Sequence, residues 1–176
     1  MNDPQTDPID QLMDEHRVIE SVVGAIRKAA QSDVDLDFYA DLVDFIANFA
    51  DGLHHGKEED RLFPLLEERG LPREGGPIGV MLQEHRLGRE HVARMREGLE
   101  AADRDALRRE SRAYAALLEG HIMKEDSILY PMGRNVFRPG DVERLQAAFA
   151  DVDPTGEEGR RYRDLARSLV ERAQPD

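Results

Sequence analysis

Two stretches of this sequence combine histidine with carboxylate at a spacing that suits metal binding. One stretch begins at His54 and reads HHGKEEDRLFP, and the other begins at His121 and reads HIMKEDSILYP. Aligned without gaps, His54 and Glu58 match His121 and Glu125. Residues four apart in an α-helix lie on the same face, so each His–Glu pair points in one direction. The stretches therefore predict two equivalent pairs, each able to offer an imidazole nitrogen and a carboxylate oxygen to a cation.

A second repeat places one further histidine ahead of each pair. The segment LMDEHR contains His16 and the segment MLQEHR contains His85. Each of these histidines occupies a position where the apolar stripe of its helix calls for an apolar residue. The chain thus reads as two helix pairs of similar sequence, which in a bundle gives an approximate internal two-fold axis.

These four histidines and two glutamates would converge on the interior of the protein. Burying so many polar groups without partners costs several kcal/mol apiece, and a metal centre removes that cost by binding their lone pairs. Imidazole and carboxylate without sulfur suit iron or manganese, with zinc as a substitute. The set is too large for one catalytic zinc and divides well between two metals, each with two histidines. The alternative is a duplicated bundle with two buried His–Glu pairs and no metal.

Composition excludes several other classes of function. The net charge of −13 over 176 residues disfavours nucleic acid and anionic membranes as partners. The absence of cysteine removes disulfides, thiolate nucleophiles and Cys-ligated metal sites. The N-terminal residues MNDPQTDPID do not resemble a signal peptide, and no segment approaches the ~20 apolar residues of a membrane span. We therefore expect a cytoplasmic protein that has no nucleic-acid or membrane partner.

Helical periodicity runs through almost the whole chain and predicts an all-α fold. The architecture expected is an up-down-up-down four-helix bundle over residues 9–132, after an N-terminal tail at 1–8. Pro64 is expected to interrupt or restart the second helix, and Pro131 to end the fourth. Residues 133–176 should form two further helices that pack on the bundle. These helices either cap it or mediate dimerisation, so a monomer and a homodimer both stay open.

The ordered motifs EHR, HHGKEEDRLFP, EHR and HIMKEDSILYP resemble the hemerythrin-like, or HHE cation-binding, proteins over about residues 9 to 132. The resemblance implies a four-helix bundle holding two Fe ions that are bridged by two carboxylates and an oxo or hydroxo group. It makes four histidines terminal ligands and two glutamates bridges: His16, His54, His85, His121, Glu58 and Glu125. Oxygen-carrying hemerythrins have a further histidine four residues along the third helix, where this chain has Arg89.

Four neighbouring side chains are expected to have lesser roles, as further metal ligands or as partners of the ligands. Glu20 lies four residues past His16 and could fill a vacant metal position, although it sits at the edge of the apolar stripe. His55 has no counterpart in the repeat and is expected on the flank of its helix, with a pairing to Glu59 as the alternative. Glu59 is otherwise expected to be solvated or to support a ligand. Tyr114 is either a hydrogen-bond donor to the ligands or part of the core.

Gly88 suggests where a small molecule would bind. It follows His85 by one turn on the inward stripe, where the matching residue of the first helix is Ile19. The missing side chain could leave room for a small ligand beside the centre, although close helix packing explains a glycine equally well.

The expected function is therefore chemistry with small oxidants such as O2, H2O2 or NO. A binding or sensing protein would hold the ligand, whereas an enzyme would turn over peroxide in catalase- or peroxidase-like fashion or reduce NO. Iron handling and a redox-inactive metal-binding bundle are the further alternatives.

Overall fold

The computed structural model describes residues 6–31 and 34–173, in which helices and loops occur without a β-strand. The prediction of an all-α fold is thereby confirmed. Six helices follow one another along this part of the chain: α1 (Pro8–Ala29), α2 (36–68), α3 (Pro77–Glu100), α4 (104–136), α5 (Asp141–Ala150) and α6 (Glu157–Arg172). None of the helices that the structure describes combines the length and the apolar character that crossing a membrane requires.

Acidic side chains start three of the four long helices. Asp7 precedes α1 and accepts a hydrogen bond from the Ile9 backbone N–H at 2.9 Å. Asp35 starts α2 and Asp103 starts α4 in the same way, each accepting from the N–H three residues on. A side-chain cap of this kind contributes about 1 kcal/mol to helix stability. The first five residues of the predicted tail lie outside the described residues, and α1 begins at Pro8.

Helices α2 and α4 each contain π-helical turns directly before a proline. In α2 the π segments are Ile46–His55 and Glu58–Leu62, and in α4 the π segment is Glu125–Leu129. Pro64 was expected to interrupt or restart its helix, and α-helical geometry does restart beside it, at Phe63. The expectation that Pro131 ends its helix is corrected, because α4 continues past this proline to Val136. A proline removes one backbone donor and crowds the carbonyl four residues earlier, and the wider π turn accommodates that disruption.

The buried apolar residues form two clusters with a polar layer between them. One cluster surrounds Ile19, Phe38, Phe49, Met95 and Leu169, and draws on α1, α2, α3, α4 and α6. The second surrounds Ile9, Leu12, Phe63, Met81 and Phe149, nearer the start of α1 and the end of α2. The histidines identified from the sequence belong to neither cluster. They lie in the polar layer between the two apolar clusters.

The two C-terminal helices pack against the other four. Helix α6 contributes Tyr162 and Leu169 to the first apolar cluster. Helix α5 is attached to the end of α2 through Asp141, whose carboxylate accepts from Arg69 Nη2 at 2.6 Å and from Nε at 2.8 Å. The backbone N–H of Arg138 also donates to Asp141, at 2.7 Å. These donors hold the pKa of the Asp141 carboxyl down, at about 2.

We expect the Asp141→Asn substitution to destabilise the protein at pH 7, to have a smaller effect at pH 3, and to have little effect below about pH 2. The carboxylate favours folding when it is ionised in both states. That contribution is lost as the pH falls from about 4, where the unfolded carboxyl takes up its proton, through about 2. Urea midpoints at pH 7, 3 and 1.5 measure the change. Asp105→Asn, which alters an exposed acid in the first turn of α4, is the control. An equal loss at all three pH values would show that the ion pair is not the cause.

Candidate metal centre

The helices bring the six residues identified from the repeat to one buried place. Helix α1 supplies one histidine, α2 a histidine and a glutamate, α3 one histidine and α4 a histidine and a glutamate. All are at most 1% exposed: His16, His54, Glu58, His85, His121 and Glu125. Two of the imidazoles face each other directly, with His85 Nε2 and His121 Nε2 only 3.1 Å apart. Nitrogen atoms that face each other this closely suit a shared cation.

The side chains divide into two groups that could each hold an ion. His16, His54, Glu58 and Glu125 form one group, which we call the two-histidine group. His55, Glu58, His85 and His121 form the other, which we call the three-histidine group. Within each group the potential ligand atoms lie within 4.8 Å of one another. Because Glu58 belongs to both groups, the two positions are adjacent.

Both glutamates extend between the two groups. Glu58 Oε2 lies 3.8 Å from His54 Nε2 and 3.4 Å from His85 Nε2. Glu125 Oε2 lies 3.1 Å from His16 Nε2 and 3.2 Å from His121 Nε2. Each carboxylate therefore contacts one imidazole of each group, which is the arrangement that a bridge between two cations needs.

Four polar atoms of this layer are buried without a hydrogen-bond partner. They are His54 Nε2, His55 Nε2, Glu58 Oε2 and Glu125 Oε1. Leaving a buried donor or acceptor unpaired costs about 1–3 kcal/mol each. These atoms are lone-pair donors that face a common centre, so bound cations would satisfy all four. The donor set of imidazole and carboxylate suits iron, manganese or zinc.

His55 is not on the flank of its helix, and this correction adds a fifth imidazole to the centre. It is 4% exposed, and its ring stacks on that of His85 with the centroids 3.7 Å apart. Consecutive residues of a regular α-helix point about 100° apart. The π segment that ends at His55 changes this register, so that His54 and His55 both face inward. The repeat held the signal, because the matching residue Ile122 is apolar and also buried.

A carboxylate holds the Nδ1 atom of every histidine in the centre. Each imidazole donates from Nδ1: His16 to Asp126 (2.6 Å), His54 to Glu15 (3.1 Å), His55 to Asp51 (3.3 Å), His85 to Glu59 (2.7 Å) and His121 to Glu84 (3.0 Å). Such bonds fix the tautomer and leave Nε2 free to bind a cation. His55 therefore pairs with Asp51 and not with Glu59, whereas Glu59 supports His85.

Sequence reasoning missed the residues that support the repeat. Glu15 and Glu84 are the glutamates of the two EHR segments, and each holds the histidine of the helix that follows its own. Lys57 donates to Glu15 and Lys124 to Glu84, so a cation completes each arrangement. The signal was present, since both glutamates and both lysines recur in the aligned repeats.

Tyr130 was also missed, and here no repeat signals it. Its hydroxyl donates to Glu58 Oε1 at 2.7 Å, and its ring stacks on His16. The matching residue of the first half is Phe63, which lacks the hydroxyl.

The remaining candidates have different surroundings. The side chain of Glu20 is 41% exposed, pairs with Arg17 at 2.9 Å and belongs to neither ligand group. Ile19 is buried in the first apolar cluster. Gly88 lines a cavity together with His55, and Tyr114 lines the same cavity from α4.

The side chains of the polar layer differ in how strongly each one holds a proton. Burial and the charge of Glu125 raise the pKa of Glu58 well above its usual value. Burial lowers the pKa of His54 to about 4, with the neighbouring His16 adding to the effect. Burial opposes protonation of His121 too, but Glu125 and Glu84 outweigh it and raise that pKa to about 9. A cation that takes these atoms as ligands must therefore displace protons.

These features define a helical protein with a buried histidine–carboxylate site for cations. Residues 7–133 match the family model of the hemerythrin HHE cation binding domain. The chain belongs to this family, as its motifs predicted.

Relatives of this chain occur in mycobacteria. Three proteins, one from Mycobacterium bovis and two from strains of Mycobacterium tuberculosis, are each 27% identical to it over 181 aligned positions. The alignments cover 96% of this chain and 68% of each relative. All three are described as uncharacterised proteins. No solved structure matches the chain.

Glu15→Gln should weaken the retention of divalent cations by about 10- to 100-fold, because the amide is a poorer acceptor for His54 and cannot balance Lys57. Chelator competition on the metal-loaded protein measures the change. Asp14→Asn, which alters the exposed acid next to it, should leave retention unchanged. If both variants release cations at the wild-type rate, the carboxylate behind His54 does not support the site.

Proposed function

We propose that this chain is a non-haem di-iron protein that binds or reacts with small oxidants such as O2, H2O2 or NO. The observation that carries the proposal is the convergence of five imidazoles and two carboxylates in which four lone-pair atoms are buried and unpaired. The iron pair supplies redox chemistry and positions at which a small molecule can bind. Manganese or zinc are substitutes that the same ligands accept.

The ligand assignment follows the two groups. We assign three imidazoles to one metal and two to the other: His55, His85 and His121 to the first, and His16 and His54 to the second. Glu58 and Glu125 would be held between the two metals. Oxygen-carrying hemerythrins have a further histidine ligand on the third helix, at the position where this chain has Arg89. In this chain His55 of α2 would supply the fifth imidazole instead.

The protein around the centre has three tasks. The carboxylates behind the imidazoles hold each ring in one orientation. The two apolar clusters exclude water from both ends of the polar layer, which strengthens the electrostatic interactions inside it. Tyr130 donates to Glu58, so one oxygen of this bridge carries a hydrogen bond while the other, Oε2, faces the imidazoles. We further propose that the four long helices alternate in direction, as the convergence of matching side chains favours.

Protein expressed in iron-supplemented medium should contain about two irons per chain and show charge-transfer absorption in the near ultraviolet. Elemental analysis and an optical spectrum measure both. A stable, reversible change of the spectrum with O2 favours a binding protein, and rapid consumption of peroxide favours an enzyme. A stable helical protein without bound metal would mean that the histidines and glutamates are a structural polar core.

His55→Ala should lose roughly one of about two metals, or bind it at least tenfold more weakly, because the three-histidine group loses one imidazole. His121→Ala should have a comparable effect on the same metal. His91→Ala is the control, since His91 pairs with Glu110 at 3.0 Å and belongs to neither group. Retention of both metals and an unchanged spectrum in His55→Ala would remove His55 from the ligand set.

A further inference from the structure

The exposed apolar side chains of this protein are concentrated on two neighbouring helices. Among the described residues, five large apolar side chains are 37–59% exposed, and all five lie on α3 or α4: Val80, Leu87, Met123, Ile128 and Met132. Scattered exposed apolar residues are ordinary on a protein surface, whereas several on one surface indicate an interaction site. We call the surface that these five residues form the α3–α4 face.

An ion pair within the α3–α4 face shows that its two helices touch there. Lys124 of α4 donates to Glu84 of α3. Residues three or four apart lie side by side on a helix, so the apolar residues one turn before and one turn after Glu84 share its side of α3. In α4, one apolar residue directly precedes Lys124 and another follows it by one turn. The four residues that surround the ion pair are Val80, Leu87, Met123 and Ile128.

The matching face of the first half is covered by the C-terminal helices. Glu84 and Lys124 match Glu15 and Lys57 in the aligned repeat. The Phe149 ring of α5 lies 5.9 Å from Lys57 Nζ. The loop before α6 and the first turns of α6 form, together with Glu15 and Lys57, the walls of one small cavity. The first half therefore holds its ion pair beneath α5 and α6.

The exposure of the two ion pairs and of their apolar neighbours shows the effect of this cover. The side chains of Glu15 and Lys57 are 5% and 4% exposed, whereas those of the second pair, in the same order, are 15% and 31% exposed. Val18, the match of Leu87, packs against the first apolar cluster, to which α6 contributes. The chain thus covers this kind of face in one half and leaves its counterpart in the other half exposed.

The size and the charge of the α3–α4 face fit a second copy of this chain. Its five apolar side chains expose roughly 400 Å², and a stable dimer buries about 800 Å² per copy, of which somewhat more than half is apolar. Because the chain has a net charge of −13, two copies repel each other over most of their surface. The α3–α4 face instead presents apolar side chains, the neutral residues Gln83 and Ser127, and an ion pair whose charges cancel. Two such faces can therefore meet without that repulsion.

We propose that the α3–α4 face is a dimer interface, in which this face of one copy packs against the same face of a second copy across a two-fold axis. The contact shields the Glu84–Lys124 pair from water, as α5 and α6 shield its counterpart in the first half. The C-terminal helices then cap one half of the bundle, and the second copy covers the other half. This inference goes beyond the proposed function and does not depend on it, because it requires no bound metal.

Analytical ultracentrifugation of the purified protein tests the interface. The wild type should sediment as a dimer of 20.0 kDa chains. Leu87→Glu should raise the dissociation constant at least about 100-fold, because a second copy would have to bury an unpaired carboxylate. Ala93→Glu is the matched control, since it adds the same charge at an exposed position on another side of α3, and it should change the constant by no more than about twofold.

Met123→Glu makes the same change from α4 and replaces Leu87→Glu if that variant fails to fold. A wild type that stays monomeric up to about 0.1 mM would overturn the proposal, since a specific interface of this size is populated there. A dimer that survives both glutamate substitutions would overturn it as well, because the contact would then lie on another surface.

Chemical cross-linking locates the contact, because the chain has no cysteine of its own. A flexible bismaleimide should join two copies of the Met123→Cys variant, whose new thiol lies on the α3–α4 face. It should not join two copies of Ala147→Cys, whose thiol lies at an exposed position of α5. Cross-linking of the α5 variant in place of the α4 variant would mean that the two copies meet through the C-terminal helices, and the proposed interface would be wrong.

Discussion

The structure depends on the burial of a layer of imidazoles and carboxylates between two apolar clusters. A buried polar group is costly unless it forms a hydrogen bond or an ion pair. When its partner is also buried, that partner needs a further polar neighbour closer to the surface. Here the imidazoles donate to carboxylates, and those carboxylates in turn accept from lysine or arginine, as Glu15 does from Lys57 and Glu59 does from Arg89. Hydrogen-bond donors and carboxylates alternate in this way from the centre outward, until the outermost side chains are exposed to solvent. What it leaves unpaired are lone pairs at its centre, and bound cations would satisfy those.

The two-fold repeat supplies this network of hydrogen bonds. The residues that depart from the repeat make one side of the centre different from the other. Matching histidines, glutamates and lysines build both halves of the network alike. His55, Gly88, Tyr114 and Tyr130 have no equivalent across the axis. Three of these four line the cavity that contains His55 and Gly88, and the fourth, Tyr130, donates a hydrogen bond to Glu58. The unmatched residues therefore make the two sides of the candidate metal centre chemically different.

Much of the fold and of the inner site followed from the sequence, because helical periodicity and the i to i+4 rule depend only on local geometry. Histidines in place of apolar residues, as at His16 and His85, marked inward positions. The role of His55 was missed because consecutive residues of a regular α-helix point about 100° apart, and its one signal was the apolar residue Ile122 at the matching position of the repeat. The partners of Nδ1, such as Glu84 for His121, depend on how helices lie side by side. The cavity depends on the packing of three helices, which no local pattern contains.

The departure from α-helical geometry links the proline of each repeat to its candidate metal ligands. A proline in a helix demands a disturbed turn on its N-terminal side, and both π segments that precede a proline begin at the glutamate that reaches between the two groups. In α2 a further π segment runs up to His55, and that segment has no counterpart in α4. The prolines thus account for the turns that the two halves share. The additional irregularity of α2 accounts for the fifth imidazole, and so for the side of the centre at which the cavity opens.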